Sequence, residues 1–246
     1  MRFDVLTIFP GMFEAYLSEG VLGRAVKRGL AQVRVVNIRD FAQGPHKTTD
    51  DRPYGGGNGM VMKPGPIHRA LSSIERVRGR SQVILLSPQG ERFDQSTAWE
   101  LSGWDQLILV CGRYEGVDER VIISSVDREL SLGDFILSGG ELAALMLMDA
   151  VSRLLPGVLG GEGSNLEDTF EDGLLEYPQY TRPSVFQGMA VPDILLSGDH
   201  EKIRLWRRRE SLRRTLERRP DLLEKARLTA EDEAILAELK EETERS

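Results

Sequence analysis

Gln106-Leu107-Ile108-Leu109-Val110-Cys111-Gly112-Arg113-Tyr114-Glu115-Gly116 is the stretch whose pattern decides the fold. Four aliphatic residues and a cysteine run on without a polar face, the pattern of a strand buried on both sides in a parallel sheet. Gly112 and Gly116 follow at once, so the strand ends in a turn whose backbone can come close to a ligand. The same pairing recurs on either side. Leu85-Leu86-Ser87-Pro88-Gln89-Gly90 closes a strand predicted over 81–87. Ser131-Leu132-Gly133-Asp134-Phe135-Ile136-Leu137-Ser138-Gly139-Gly140 follows a third strand-like run. Helical spacing predicts helices over 67–77, 95–101, 118–125 and 141–154, the last capped by Ser138 or Gly140. Nearer the start, strands are expected over 3–8 and 33–38, with a helix over 12–28 that Gly20 and Gly23 weaken. This alternation predicts an α/β domain with a mostly parallel sheet.

In an open α/β sheet, ligands bind beyond the carboxyl ends of the strands. Three glycine-bearing turns at those ends would surround one small ligand with backbone donors and acceptors. Spacing alone leaves ordinary strand-to-helix turns equally open. No GxGxxG and no GxxxxGK[ST] occurs, which disfavours dinucleotide and nucleoside triphosphate cradles. A fourth loop, Asp50-Asp51-Arg52-Pro53-Tyr54-Gly55-Gly56-Gly57-Asn58-Gly59-Met60, reads as a phosphate nest, a lid or a backbone-packed loop. His46, His68 and His200 are scattered, and HExxH, CxxC and GxSxG are all missing. Zinc chemistry and a serine nucleophile therefore have no support, while an oxygen-bound Mg²⁺ stays open through carboxylates such as Glu115.

The 246 residues carry a net charge of −7 with 40% hydrophobic and 29% charged residues, an ordinary globular composition. Charge is unevenly spread. Residues 200–220 hold nine Lys or Arg against three Glu, a local excess of +6 that suits contact with a polyanion. The lone cysteine, Cys111, permits no intrachain disulfide and reads as a small buried hydrophobe. Residues 1–10 lack a secretory pattern, and the apolar region 135–158 is broken by Glu141, Asp149 and Arg153, so no membrane span is expected. The expected location is the cytoplasm. Three regions are expected: a catalytic domain over 1–160, a polar glycine-rich linker over 161–175, and a helical domain over 176–246. The last contains a basic helix at 203–216 and a charged helix at 230–243. The linker brings Glu162, Glu167, Asp168, Glu171 and Asp172, with Glu176 just beyond, and Arg153 ends the apolar helix. Acidic loops are usually only solvated, and a terminal arginine complements the helix dipole. Chemistry on a nucleobase, however, would need one such carboxylate as base and one such cation near the oxygen that gains charge.

Longer runs carry a specific likeness. They are Phe9-Pro10-Gly11-Met12-Phe13, the loop 50–60, Leu86-Ser87-Pro88-Gln89-Gly90, residues 110–120 and residues 131–141. Pro156-Gly157-Val158-Leu159-Gly160, Tyr180-Thr181-Arg182-Pro183 and Leu195-Leu196-Ser197-Gly198-Asp199-His200 complete the set. Together they resemble the bacterial tRNA (guanine-N1)-methyltransferases, SPOUT-type enzymes, over nearly the whole chain. The resemblance implies a deep trefoil knot at the C-terminal end of the catalytic domain, an exception to the rule against threading. It implies S-adenosylmethionine held in bent form by Leu86, Ser87, Pro88, Gly112, Tyr114, Glu115, Gly116, Leu132, Gly133, Asp134, Phe135, Ile136, Leu137, Gly139 and Gly140. It assigns Asp168 as general base and Arg153 as the cation at guanine O6. It implies methylation of guanine 37, next to the tRNA anticodon and preceded by another guanine, with Mg²⁺ required. An obligate homodimer would share each active site, and the C-terminal domain would bind the anticodon stem-loop. Thr169 and Glu176 stand where relatives often have Ser and Asp, substitutions that keep the type of group. A ribose 2′-O-methyltransferase and a non-catalytic RNA-binding module are the competing readings.

Overall fold

A computed structural model describes residues 1–160, 169–170 and 172–245. Asp168, Glu162, Glu167 and Glu171 lie outside the described residues. The chain divides into two units, Met1–Glu162 and Gly163–Ser246.

The first unit is built on β1 (Arg2–Thr7), α1 (Glu14–Ser18), α2 (Gly20–Lys27), β2 (Gln32–Asn37), β3 (Asp50–Asp51), β4 (Val61–Met62), α3 (Pro64–Ser72), β5 (Ser81–Arg92), α4 (Gln95–Ser102), β6 (Gln106–Cys111), α5 (Glu119–Ser125), β7 (Arg128–Ser131) and α6 (Glu141–Arg153). Five strands form one sheet in the order β2-β1-β6-β5-β7, every neighbouring pair parallel. The expected mixed α/β architecture with a parallel sheet is what the chain adopts.

β6 sits at the centre, and all six of its residues are buried. Its pleat sends Leu107, Leu109 and Cys111 to one face and Ile108 and Val110 to the other. The first face packs against α2, α4 and α6 through Leu22, Ala98, Leu101, Ala144, Leu147 and Met148. The second packs against α3 and α5 through Ile67, Ala70 and Val121. Registers Val5↔Leu109 and Ile84↔Leu109 place the three central strands level, so their carboxyl ends open at the same edge.

Three local departures have physical causes. The helix expected over 12–28 is two, because Glu19 is extended and Gly20 takes φ +64°; a Cβ on Gly23 would lie 2.7 Å from the Ser18 carbonyl carbon, so glycine lets the two helices fold close. The helix expected over 67–77 ends at Ser72, and the Val77 N–H instead donates to Gln106 Oε1 at 2.8 Å. The strand expected over 81–87 continues to Arg92. Leu130 pairs with both Leu86 and Glu91, so Ser87-Pro88-Gln89-Gly90 loops out of the ladder and then rejoins it.

The second unit contains the hairpin β8 (Val185–Phe186) and β9 (Met189–Ala190), then α7 (Asp193–Leu196), α8 (His200–Arg218), α9 (Pro220–Leu223) and α10 (Ala230–Glu244). Its core is Leu174, Leu212, Leu236 and Leu239. A capping box between Thr229 and Asp232 starts α10. Among the described residues no helix is long and apolar enough to cross a membrane.

Candidate functional site

A cavity of about 1120 Å³ opens at the carboxyl ends of β5, β6 and β7. Three turns meet there: the excursion from β5, the turn after β6, and the long loop from β7 to α6. Of the fifteen residues expected at a cofactor site, all but Asp134 line it. Gly116 (φ +118°) and Gly133 (φ +143°) hold backbone that a side chain would strain. Tyr114 takes a left-handed φ of 62° without being glycine, and its ring is half exposed on the cavity wall. Backbone strain of that kind gathers at ligand sites. Phe135, Ile136 and Leu137 are likewise exposed, leaving apolar surface turned to the opening.

The glycine-rich loop 50–60 supplies a wall that sequence reasoning left undecided. Glu115 N–H donates to Met60 O at 2.9 Å, Met62 N–H to Gly116 O at 2.9 Å, and Asp118 N–H to Met62 O at 3.1 Å. A Cβ on Gly59 would overlap the Glu115 side chain. The end of this loop is therefore backbone-packed on the β6 turn, and glycine at 59 is the signal. Asp51, Arg52, Pro53 and Tyr54 also line the cavity, with Tyr54 fully exposed.

Lys63 and Arg120, on this side, are each paired with a carboxylate. Lys63 lies 3.1 Å from Asp51, and Lys63 together with the Arg52 N–H holds the Asp51 carboxyl below the usual carboxylate range. Arg120 grips Asp118 with two hydrogen bonds of 2.8 and 2.7 Å and lowers its pKa. Neither arginines 113 and 120 nor Lys63 was singled out from the sequence; nothing in their spacing distinguishes them from surface charge. Cys111 lies under the cavity floor. Burial, reinforced by the Glu141 carboxylate, pushes its thiol well above the usual range, which fits the small-hydrophobe expectation.

Arg153, expected as the catalytic cation, is not among the residues that line this cavity. Arg153 is the last residue of α6, whose first turn adjoins the cavity; twelve residues of helical rise separate the two by about 18 Å. Asp168 lies outside the described residues. No group of three or more His, Cys, Asp or Glu suited to a metal occurs among the described residues.

In the second unit, α8 is basic as expected, but its arginines divide into two sets. Arg204 bonds Glu231, Arg208 bonds Asp232 and Asp172, Arg209 bonds Glu238 and Glu242, and Arg213 faces Glu242. These hold α10 against α8. Arg207 stacks on the Tyr177 ring at 4.8 Å. Arg214 and Arg218 have no carboxylate partner among the described residues. Arg207, Arg214 and Arg218, at i, i+7 and i+11, share one helical face.

Comparison with known proteins gives a consistent result. The family model described as tRNA (Guanine-1)-methyltransferase TrmD matches residues 1–225. A tRNA (guanine-N(1)-)-methyltransferase of Syntrophotalea carbinolica is 57% identical over 97% of this chain and 96% of its own length. Proteins of the same name from Dictyoglomus turgidum and Geobacillus kaustophilus are 55% and 53% identical, over 98% and 99% of this chain and 98% and 100% of theirs. With a family model spanning most of the chain and relatives above half identity along nearly all of it, the chain belongs to the tRNA (guanine-1)-methyltransferase family.

Proposed function

We propose that this protein methylates N1 of guanine 37 in tRNA, with S-adenosylmethionine as donor. The observation that carries the reading is the convergence of three glycine-bearing turns on one cavity, in a chain of this family. The cavity is larger than the roughly 300–1,000 Å³ typical of small-molecule sites, enough for a nucleoside donor beside an unstacked base. Its residues fit the donor: apolar Leu86, Leu132 and Leu137 suit a flat purine, and the Glu115 carboxylate suits hydroxyl or ammonium donors. When bound, S-adenosylmethionine supplies an electrophilic methyl group on a sulfonium.

Guanine N1 carries a proton at neutral pH and is a poor nucleophile. In the proposed step that proton passes to the Asp168 carboxylate as N1 forms its bond to the methyl carbon and the carbon–sulfur bond breaks. Arg153 stabilises the negative charge that builds on O6. Arg153 is far from the cavity of its own chain, so the reading needs a second copy whose Arg153 and Asp168 complete the site. The exposed surface of the first unit supports that. Leu142, Met146, Asp149 and Arg153 fall at i, i+4, i+7 and i+11 on one stripe of α6, with Leu142 and Met146 exposed. Phe9, Met12 and Tyr16 add further exposed apolar surface, and Tyr16 meets Asp149 on the stripe. An apolar face of this kind on a globular fold suits a homodimer.

The reading also includes a trefoil knot formed by the segment that closes the first unit. Contacts between the turn after β6 and the loop before α6 support it: an Arg113–Gly139 bridge and a Gly140 N–H to Gly112 O bond of 2.9 Å. The second unit would hold the anticodon stem-loop, and the cytoplasm would be the compartment where the substrate is met. Mg²⁺ belongs to the reading on the resemblance alone, and no step above passes through it. The test is methyl transfer to tRNA transcripts with G or A at position 37, with Asp168→Asn alongside. The reading expects activity on the G transcript alone and a loss of about 100-fold or more in rate for the variant. Equal activity on both transcripts removes the substrate assignment, and full activity of the variant removes the base.

A further inference from the structure

The motif Leu137-Ser138-Gly139-Gly140-Glu141 ends in a charge that the cofactor reading does not use. Glu141 is the first residue of α6 and is completely buried. A buried carboxylate is tolerated only where its oxygens are well bonded. Glu141 Oε1 accepts a hydrogen bond from Thr7 Oγ1 at 2.8 Å, at the carboxyl end of β1. Oε2 accepts one from Arg113 Nε at 2.9 Å, in the turn after β6. Arg113 then reaches the loop before α6, donating from Nη1 to Ser138 O at 3.2 Å, while its guanidinium lies 4.6 Å from the centre of the Phe9 ring. One carboxylate thus ties together the end of β1, the β6 turn and the β7–α6 loop.

The two glycines belong to the same device. A Cβ at 139 would overlap Arg113 and the Glu141 carboxylate, and one at 140 would lie 2.9 Å from Cys111 Cα. Both positions must be bare for the loop to close on the ion pair and on the end of β6. Arg113, Ser138, Gly139 and Gly140 all line the cavity. We infer that Glu141 is a positioning residue: by orienting Arg113 it sets the separation of two cofactor turns, and so governs donor affinity rather than the methyl-transfer step. The helix dipole favours a negative charge at this position but would do so with any partner geometry. The two directed bonds, from Thr7 and Arg113, are what tie the charge to the site.

This rests on the cavity being the S-adenosylmethionine site, and the test separates the two ideas. Glu141→Gln keeps the shape and removes the charge. Calorimetry should show S-adenosylmethionine binding weakened at least about tenfold, with the rate constant at saturating donor changed less than about threefold. Arg113→Gln should weaken binding similarly, and the double variant should be no worse than either single one. Hydrogen exchange on the protein without donor should show the amides of Gly112, Gly116 and Gly140 less protected in Glu141→Gln, with β6 amides unchanged. Donor affinity within twofold of wild type, or loop amides as protected as in wild type, overturns the inference. Should the wild-type protein bind no donor, the cofactor reading fails, and the exchange experiment still decides whether Glu141 holds the turns.

Discussion

Asp232 performs two tasks at one position. Its carboxylate accepts from the Thr229 N–H at 2.8 Å, closing the start of α10, and from Arg208 Nε at 2.6 Å, fastening α10 to α8. The Arg208 hydrogen bonds, opposed by burial and aided by Thr229, hold its carboxyl down at about 2. A folded-state pKa below the unfolded one gives stability that is present above the unfolded value and is lost as pH falls through the folded one. This single carboxyl should therefore contribute about 2–3 kcal/mol near neutral pH, lost between pH ~4 and ~2. Asp232→Asn should lower stability by a similar amount at pH 7 and flatten that part of the acid limb, measured by chemical denaturation across pH. An unchanged acid limb would show that the carboxyl is not linked to folding. The spacing of Asp232 from Thr229 is that of a capping box, but its bond to Arg208, 24 positions away, shows only in the packed helix pair. Glu141 is similar: its place at a helix start was readable, and its bonds to residues 28 and 134 positions away were not.

Elements carry the division of labour that residues alone conceal. The charge count made α8 a polyanion surface, yet Arg204, Arg208, Arg209 and Arg213 are bound to acidic groups of the second unit. On the proposed function, the set left to meet phosphates is Arg207, Arg214 and Arg218. Replacing Arg214 and Arg218 with Gln should weaken tRNA binding across all tRNAs and reduce the slope of log affinity against log salt by about 0.7–0.9 for each phosphate no longer neutralised. Arg209→Gln should leave that slope unchanged and instead lower stability. Binding titrations at several salt concentrations measure both; a slope altered equally by Arg209→Gln would contradict the assignment. The strands show the same limit. β6 was legible to the residue because an uninterrupted apolar run has one natural reading. The end of β5 was not, since Pro88 and Gly90 mark a turn locally, and only pairing with β7 draws Glu91 and Arg92 back into the sheet.

At the scale of the whole molecule, glycine and strand patterns left a ligand site and ordinary turns equally open; the fifteen residues that the family resemblance implied are the ones, Asp134 excepted, that line the cavity. Patterns could not place Arg153 relative to that cavity, because helical length separates groups that sequence reasoning treats as one site. A second copy of the chain resolves the separation in the proposed function. Met146→Asp puts a charge in the middle of the exposed α6 stripe, and should convert a dimer into monomers in analytical ultracentrifugation while abolishing methyl transfer. A variant that remains dimeric and active would remove that stripe from the interface. The proposed function turns on which atom receives the methyl group. The most direct measurement is nucleoside analysis of tRNA after transfer from labelled S-adenosylmethionine. Label is expected in 1-methylguanosine arising from position 37, whereas label in a 2′-O-methylated nucleoside, or in none, would contradict methylation of guanine N1.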